Sequence, residues 1–397
     1  MKVKLMTALC FLLINSGMLN AQVKDQKMGE LIDQQFKFAD QQYKVLAKNL
    51  PADVMPKTYN ATTDKVVTSN TAWWCSGFFP GSLFYIYEYT QDAEILAEAK
   101  RRLTILEKEK NNKGTHDLGF MMYCSFGNAY RLLHDPAYKD IIEASAASLS
   151  TRYHPAAKVI QSWNSSDRWV GPVIIDNMMN LELLSWVSDH DGDKKYKEIA
   201  VNHANSTIKN HYRPDYSAYH VLDYNMETGE VLKKVNWQGY ADESAWSRGQ
   251  AWGLYGFTMM YRFTKDKQYL DQAIHIANFM LNDPNMPADM IPYWDYDAPE
   301  IPNTYRDASA GAIMASALLE LAQYSNKAES KKYLDASEKA IRTLASDTYR
   351  SKLGENGGFL LKHGVGFLGQ NSEVDVPLTY GDYYFLEALH RYKEWYL

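Results

Sequence analysis

Ionisable side chains recur where short loops of the sequence lead into strongly apolar segments. These residues are His116, Asp117, Asp176, Asp242, Glu243, Arg248, Asp307 and Asp382. An acidic residue at the start of a helix ordinarily caps free N–H groups and meets the positive end of the helix dipole, and we interpret Asp307 and Asp382 in this way. Several carboxylates at one end of a helical domain also predict a pocket in which one of them stays protonated, as general acid–base chemistry requires.

Aromatic residues crowd the same loops. The chain has 29 Tyr, 14 Phe and 10 Trp among its 397 residues. The tryptophans near these loops are Trp73, Trp74, Trp163, Trp169, Trp237, Trp246, Trp252 and Trp294. Most of these rings are expected to pack in the core, but flat rings beside paired carboxylates would also form a subsite for a sugar. Because glycoside chemistry generally uses two carboxylates, the combination favours a carbohydrate-active site.

Other chemistries find little support in the sequence. It contains no G-x-S-x-G elbow and no phosphate-binding loop, and no pair of histidines has metal-ligand spacing with a third ligand nearby. The segment DHDGD at 189–193 is similar to a calcium loop, but its glycine comes too early and no glutamate closes it. We therefore interpret this segment as a turn between helices and predict neither a metal nor a cofactor.

A repeated pattern of helix pairs must position these residues. A strongly apolar segment, which suits a buried helix, is followed by a turn and a charged, amphipathic segment, which suits an outer helix. The apolar segments are SGFFPGSLFYIYEYT, HDLGFMMYCSFGNAYRLL, DNMMNLELLSWVSD, SRGQAWGLYGFTMMYRFT, DASAGAIMASALLELAQYS and YGDYYFLEALHRYKEWYL. Only the first five of these inner segments are followed by an outer partner.

The missing outer partner is available in residues 28–49, which have the spacing of an amphipathic helix. This count predicts an all-α, (α/α)6 toroid of six helical hairpins in which the N-terminal helix closes the ring; an open helical solenoid is the alternative. In such a ring the loops before the inner helices gather at one end. The long segments 151–171, 213–246 and 285–307 would therefore build the walls of one cavity. The segment 219–239 has a Thr-Gly turn between extended patterns and is interpreted as a small β-hairpin.

The N-terminus has the features of a secretory signal. Two lysines precede the apolar run from Leu5 to Leu13, and a small residue, Ala21, follows at the end of the segment. The apolar run is too short to span a membrane. We predict a signal peptide at residues 1–21, a single catalytic domain over residues 22–397, and export from a bacterial cytoplasm to the periplasm or beyond.

The charge and cysteine content exclude some partners and bonds. The net charge of −6 does not favour binding to nucleic acid or to anionic lipid. An anionic substrate would therefore need an Arg or Lys placed locally in the site. Only Cys75 and Cys124 remain after the predicted signal peptide, which is too few for a disulfide framework. Separate buried thiols are favoured over a bond between them.

A series of motifs runs in order along the mature chain. These are WCSGFFPGSLFYIYE, HDLGFMMYCSFGNAYRL, VIIDNMMNLELL, WQGYADESAWSRGQAWGLYGF, YWDYDAPEIPN with RDASAGAI, and YGDYYFLEAL. Through this series the sequence resembles the unsaturated glucuronyl hydrolases of glycoside hydrolase family 88. One motif alone would not be specific, but the ordered series is. The family fold is an (α/α)6 barrel, in agreement with the helix count.

The resemblance implies an enzyme that acts on oligosaccharides made by polysaccharide lyases, which carry a 4,5-unsaturated uronic acid at their non-reducing end. The reaction is hydration of a vinyl ether rather than displacement at the anomeric carbon. The resemblance implies that Asp176, in the I-D-N-M-M-N motif, protonates C4 and helps water to attack C5, after which the hemiketal opens. It implies that Asp117, in the H-D-x-G-F motif, orients or stabilises the double-bond end of the substrate.

Five further residues match substrate-binding positions of the family. The resemblance implies that Trp74 lines the subsite, and that His220 and Gln238 contact the unsaturated ring or position water. Arg248 and Trp252, in SRGQAW, would help to bind the same ring.

Two of these residues also have simpler interpretations. Arg248 could form a salt bridge to Asp242 or Glu243, although it is also a physically sensible partner for a uronate carboxylate in a net-acidic protein. Both roles could hold together. His220 could be an ordinary loop histidine.

The implied chemistry requires that the pKa of Asp176 be raised by apolar burial or by a nearby carboxylate. Its apolar neighbours in the sequence are Val173, Ile174, Ile175 and Met178. Asp117 could supply the like charge. We predict that Asp176→Asn abolishes turnover while substrate still binds.

Other functions remain open at this point. An unsaturated rhamnogalacturonyl hydrolase shares the fold and the chemistry, and a carbohydrate-binding toroid without activity is a different class. Chondroitin, hyaluronan and heparin fragments are all plausible substrates. Tolerance of sulfate is expected to depend on the segment 362–377. The candidate sulfate ligands in that segment are Lys362, His363, Asn371 and Ser372.

Overall fold

The computed structural model describes residues 26–397. The predicted signal peptide and its cleavage site lie outside the described residues. Within the described chain, no helix is both long enough and apolar enough to cross a lipid bilayer.

Helices make up most of the described chain, in agreement with the prediction. The first, α1, covers residues 26–48. The others are α2 (Phe78–Thr90), α3 (Ala93–Leu106), α4 (Asn128–Leu133), α5 (Pro136–Ser150), α6 (Asn177–Asp191), α7 (Lys194–His211), α8 (Ser247–Thr264), α9 (Lys267–Asn282), α10 (Ala308–Tyr324), α11 (Lys327–Leu344) and α12 (Thr379–Tyr396). The described residues thus contain twelve α-helices.

Buried and half-exposed helices alternate along the chain. In α10, 15 of 17 residues are buried, whereas only 7 of the 18 residues in α11 are buried. The buried helices pack on one another in chain order, from α2 through the segment 119–133, α6, α8 and α10 to α12, and α12 packs against α2. Each half-exposed helix packs on the buried helix before it in the chain.

The helix α1 contacts the last helix, α12, and the start of α3. Its Tyr43 hydroxyl donates to Asp382 in α12 at 3.2 Å, and its Lys44 donates to Asp92 at the start of α3 at 2.6 Å. Asp382 also accepts the backbone N–H groups of Leu360 and Leu361 at 2.8 and 2.9 Å. The structural role predicted for Asp382 is consistent with these contacts.

The second buried helix departs from the prediction of one regular helix. A π-helix over Gly119–Gly127 precedes α4 and runs directly into it. Its carbonyl groups lie against α2, where a Cβ on Gly77 would come within 2.1 Å of the Met121 oxygen and one on Gly81 within 2.4 Å of the Cys124 oxygen. Glycine at these two positions of α2 allows the two backbones to touch.

Most of the turns from a buried helix to its outer partner follow one local rule. The buried helix ends on a residue in the left-handed conformation, and an aspartate follows that caps the outer helix with its side chain. The pairs are Gln91 with Asp92, His134 with Asp135, Gly192 with Asp193 and Lys265 with Asp266. The segment 189–193 is therefore a turn between helices, as predicted. Within the described chain no group of side chains could hold a metal ion.

Short β-strands occupy the long loops at the opposite end. The predicted hairpin is present as β6 (Val221–Tyr224) and β7 (Val231–Val235), joined through Gly229 with φ +77°. No other strand was predicted from the sequence. The structure adds β5 (Pro172–Ile174), which pairs with β6 to make a three-stranded sheet. Separate two-stranded units are formed by β1 (Met55–Asn60) with β2 (Lys65–Ser69), β3 (Tyr153–His154) with β4 (Val159–Ile160), and β8 (Gly364–Phe367) with β9 (Ser372–Val376).

The two remaining cysteines are not bonded to each other. Cys75 is buried and Cys124 is half-buried, and both are free thiols. This agrees with the interpretation as separate thiols.

Candidate active site

A pocket of about 230 Å³ opens where the loops before the buried helices meet. The residues that line it are Lys57, Trp73, Trp74, His116, Asp117, Trp163, Ile174, Asp176, Trp237, Gln238, Arg248, Gly366, Phe367, Gln370, Ser372, Glu373 and Tyr380. Five of the seven predicted site residues, Trp74, Asp117, Asp176, Gln238 and Arg248, are in this lining. His220 and Trp252 lie directly behind it.

The carboxyl group of Asp176 stands at the inner part of this pocket. Strand β5 leads into α6 and leaves Asp176 at the N-cap position, yet its side chain makes no capping hydrogen bond. It is only 7% exposed, and its Oδ2 atom has no hydrogen-bond partner among the described residues. Burial raises the pKa of Asp176 to about 7; Arg248 lowers this pKa and Asp117 raises it. A buried carboxyl group with such a pKa can donate a proton near neutral pH and take one back.

Asp117 also lines the pocket and is fixed by its neighbours in the sequence. Its Oδ2 accepts the Thr115 hydroxyl at 2.9 Å, and its Oδ1 lies 3.2 Å from His116 Nε2. Burial lowers the pKa of His116, so this ring is neutral near pH 7. The segment is tied to α6 because the Phe120 N–H donates to Asn180 Oδ1 at 2.9 Å.

His220 approaches Asp176 from the position directly before β6, the central strand of the three-stranded sheet. Its Nε2 lies 3.7 Å from Asp176 Oδ2, and its Nδ1 accepts the backbone N–H of Gln238 at 3.1 Å. Burial lowers the pKa of His220 well below its usual value. Because Nδ1 accepts a hydrogen bond, the neutral ring carries its proton on Nε2, which lies 3.3 Å from Gln238 Nε2 and 3.7 Å from Asp176 Oδ2. These contacts favour a site role for His220 over that of an ordinary loop histidine.

Arg248 does not pair with Asp242 or Glu243, which was the simpler interpretation of this residue. Both of those side chains lie outside the pocket lining, and Asp242 instead accepts the N–H of Asn236 at 3.0 Å. Arg248 pairs with Asp307 at 2.9 Å, because neighbouring buried helices α8 and α10 bring their starts together. Asp307 also caps α10 through the Ser309 N–H at 3.0 Å, as predicted.

The remaining donors of Arg248 are also occupied. Its terminal nitrogens donate to the carbonyl oxygens of Val365 and Gly366 and to Gln238 Oε1 at 3.2 Å. With the Asp307 contact, each terminal nitrogen has two acceptors. Arg248 therefore supplies positive charge to the pocket from a fixed position, with few donors left for a substrate carboxylate.

Aromatic rings form the walls and the floor of the pocket. Trp74 lies edge-on to Phe120 with ring centroids 5.6 Å apart, and 4.9 Å from Tyr380. The buried ring of Trp252 packs on Phe120 at 5.0 Å, and its proximity lowers the pKa of Asp176, although its Nε1 makes no hydrogen bond of ordinary geometry. The rings of Trp163 and Trp237 complete the far wall.

Several lining residues were missed at the sequence level. Lys57 comes from β1, a strand that was not predicted, and Glu373 and Gln370 come from the β8–β9 region. Tyr380 lies in the closing YGDYYF motif and could have been found there. Of the four candidate sulfate ligands, only Ser372 lines the pocket.

The arrangement combines a protonatable aspartate, a second aspartate, a neutral histidine and several aromatic rings in a narrow pocket, which suits acid–base chemistry on a sugar. The family described as Glycosyl Hydrolase Family 88 matches residues 49–396. The chain belongs to this family. The resemblance noted in the sequence is thereby confirmed.

Relatives within family 88 are similar over nearly the whole chain. A protein of Formosa agariphila named unsaturated glucuronyl hydrolase is 44% identical over 374 residues, which cover 93% of this chain and 92% of that protein. A crystal structure of an unsaturated glucuronyl hydrolase specific for heparin is 46% identical, with a TM-score of 0.89, and the match covers 92% of this chain and 97% of that one.

A third relative was solved with a bound sugar. It is an aspartate-to-asparagine variant of the unsaturated glucuronyl hydrolase of Streptococcus agalactiae, complexed with dGlcA-GalNAc6S. It is 31% identical, with a TM-score of 0.78, and the match covers 94% of this chain and 93% of that one.

Proposed function

We propose that this chain removes the 4,5-unsaturated glucuronic acid from the non-reducing end of oligosaccharides made by polysaccharide lyases, by hydrating the vinyl ether double bond. The observation that carries the proposal is Asp176, a buried carboxyl group with a pKa of about 7 in a pocket walled by aromatic rings. Membership of family 88 and the names of its relatives support the same reaction.

In the proposed mechanism, protonated Asp176 donates its proton to C4 of the double bond. Positive charge then develops at C5 and on the ring oxygen. A water molecule attacks C5, and the carboxylate of Asp176 takes a proton from it, so the acid is restored. The resulting hemiketal opens, the neighbouring sugar leaves with its hydroxyl group, and the uronate keeps a carbonyl group at C5. No step consumes anything except the one water molecule.

The neighbours of Asp176 have distinct roles in this proposal. His220 presents an N–H on the same side as Asp176 Oδ2 and holds the water near C5. The carboxylate of Asp117 raises the pKa of Asp176 and stabilises the positive charge that develops on the ring. The fixed charge of Arg248 attracts the uronate carboxylate, and Gln238 contacts the ring. Trp74 and Trp252 shape the subsite.

We further propose glycosaminoglycan fragments as the substrate class. Relatives named for heparin and for chondroitin disaccharides support this choice over pectin fragments. The test is the loss of the double-bond absorbance on unsaturated disaccharides of both classes. Faster turnover of the pectin-lyase product would favour a rhamnogalacturonyl hydrolase. Absence of turnover on every disaccharide, with binding retained, would leave a carbohydrate-binding protein.

The complete architecture and the location are also proposals. We propose that residues 22–397 form one (α/α)6 domain of six helical hairpins, with α1 as the partner of α12. The hydrogen bond from Tyr43 to Asp382 supports this pairing. We propose that residues 1–21 are a signal peptide, removed on export to the periplasm or beyond. Sequencing the N-terminus of the protein recovered from a periplasmic fraction tests the cleavage, and an intact Met1 there would contradict it.

A further inference from the structure

Two cations lie over tryptophan rings at the mouth of the pocket. The Nζ atom of Lys57 is 4.6 Å from the centre of the Trp73 ring, and the guanidinium carbon of Arg168 is 4.0 Å from the centre of the Trp237 ring. Both tryptophans line the pocket. Neither cation was identified from the sequence, and the proposed mechanism uses neither of them.

Both pairs adjoin the β8–β9 hairpin. The Trp237 ring lies 5.7 Å from the Phe367 ring in β8, and Lys57 Nζ lies 3.6 Å from the Glu373 carboxylate in β9. The ring of Trp73 is 41% exposed, whereas Asp117 and Asp176 are at most 9% exposed. The carboxyl groups therefore mark the floor of the pocket and the two cations mark its rim.

The donors of these cations are available, in contrast to those of Arg248. Lys57 has one ionic partner, Glu373, at a loose 3.6 Å. Arg168 is exposed, and within the described chain no carboxylate pairs with its guanidinium group. A cation held against a ring keeps its position while its N–H groups face solvent. Such a group can bind an anion without first breaking a strong ion pair.

The cationic residues expected to bind sulfate are engaged elsewhere. Lys362 donates to the Asp347 carbonyl at 2.8 Å, and His363 lies 2.6 Å from Asp375. Neither lines the pocket. Lys57 and Arg168, by contrast, each lie over a tryptophan ring that lines the pocket.

We propose that Lys57 and Arg168 bind a sulfate ester on the sugar that follows the unsaturated uronate. This inference rests on the proposed function, which places the uronate at the floor beside Asp176 and so leaves the next sugar at the rim. The two cations are specificity residues and take no part in the proton transfer. Glu373 opposes them, because its carboxylate competes with the sulfate for Lys57.

The test compares one disaccharide, an unsaturated uronate joined to N-acetylglucosamine, with and without a 6-sulfate. Lys57→Gln and Arg168→Gln should each lower kcat/KM for the sulfated form by about fivefold, through KM, and leave the unsulfated form within about twofold. Glu373→Gln should change the preference in the opposite direction. Added salt should reduce the advantage of the sulfated form in the wild-type protein, since exposed charges are screened.

Two controls keep the inference separate from the proposed function. Lys65→Gln, an exposed lysine in the partner strand β2, should leave both substrates unaffected. Binding of both disaccharides is also measured by calorimetry in an Asp176→Asn background, which needs no turnover. Selective loss of affinity for the sulfated form would support the inference even if the proposed reaction failed. Equal losses for the two disaccharides, or no loss for either, would overturn it while leaving the reaction intact.

Discussion

Replacing Asp176 by asparagine should abolish turnover and should also stabilise the folded protein, by an amount that grows with pH. The pKa of Asp176 is about 7 in the folded state and 3.8 ordinarily. The folded protein therefore holds a proton that the unfolded chain releases. The stability linked to this proton is complete below pH 3.8 and is lost as the pH rises through 7. Asparagine has nearly the same shape and never ionises.

The magnitude follows from the two pKa values. A carboxyl group with these two pKa values lowers the free energy of unfolding by about 2 kcal/mol at pH 5 and by about 4 kcal/mol at pH 8, compared with a group that does not ionise. Because Oδ2 of Asp176 has no hydrogen-bond partner among the described residues, the amide loses little when it replaces the acid. The stability gain of the variant should therefore increase by about 2 to 3 kcal/mol between pH 5 and pH 8.

Urea unfolding at both pH values measures this difference, and the double-bond absorbance measures turnover. Asp266→Ala is a suitable control, since Asp266 caps the exposed start of α9. It should cost about 1 kcal/mol at both pH values and leave turnover unchanged. A stability gain for Asp176→Asn that is the same at pH 5 and pH 8 would refute the argument from burial. Normal turnover by this variant would refute the assignment of the proton donor.

Three further outcomes follow from the same site. The reaction rate of the wild-type protein should fall above pH 7, where Asp176 loses its proton. Asp117→Asn should slow the reaction and move this fall to lower pH, because it removes a like charge that raises the pKa of Asp176. A pH–rate profile that does not move would contradict this coupling. Arg248→Met should move the fall in rate to higher pH, because Arg248 lowers the pKa of Asp176. It should also lower the free energy of unfolding by about 3 to 5 kcal/mol, since its buried partner Asp307 is left unpaired. A loss below about 1 kcal/mol in urea unfolding would contradict this. Gly119→Ala should lower both kcat and the urea midpoint of unfolding, because its Cβ would come within 2.5 Å of the Cα of Asn180. The side chain of Asn180 joins the segment of Asp117 to that of Asp176 by accepting the Phe120 N–H. A crystal structure of the variant in which the distance between the two carboxyl groups is unchanged would argue against this coupling.

The parts of the fold that were predicted from the sequence depend on local patterns. Apolar periodicity is a property of one segment, so it reports a helix and its buried face. The turns between paired helices are equally local: in Lys265 and Asp266 a left-handed residue is followed directly by a capping aspartate. The β6–β7 hairpin was predicted for the same reason, since its turn and both strands lie within 219–239.

Contacts between distant segments could not be predicted from the sequence. Asp242 and Glu243, which are six and five residues before Arg248, were the alternative partners that the sequence offered for it. Its partner Asp307 lies 59 residues away, at the start of the adjacent buried helix. Strand β5 was missed because it is short and pairs with β6, which lies far along the chain. Strands β1 and β9 were missed because each belongs to a hairpin whose register is shifted.

The identity of the acid and base could be predicted only through the family motifs. Asp176 and Asp307 both stand at the start of a buried helix in the sequence. In the structure Asp307 caps its helix, whereas Asp176 makes no capping bond and remains unpaired at Oδ2. Burial raises the pKa of Asp176, and Asp117 and Arg248, which modify that pKa, come from separate parts of the chain.

The separation of the small sheets has a consequence for how such an enzyme can change. Strand β5, which leads to Asp176, and strand β6, which follows His220, belong to one three-stranded sheet, while Lys57 and Glu373 belong to two hairpins that are not hydrogen-bonded to that sheet. Substitutions in β1–β2 can therefore alter the rim without shifting the strands that position the acid, whereas β8–β9 also holds Arg248 through the carbonyl groups of Val365 and Gly366. Exchange of β1–β2 between family members is thus a practical route to enzymes with new sulfation preferences and the same proton donor.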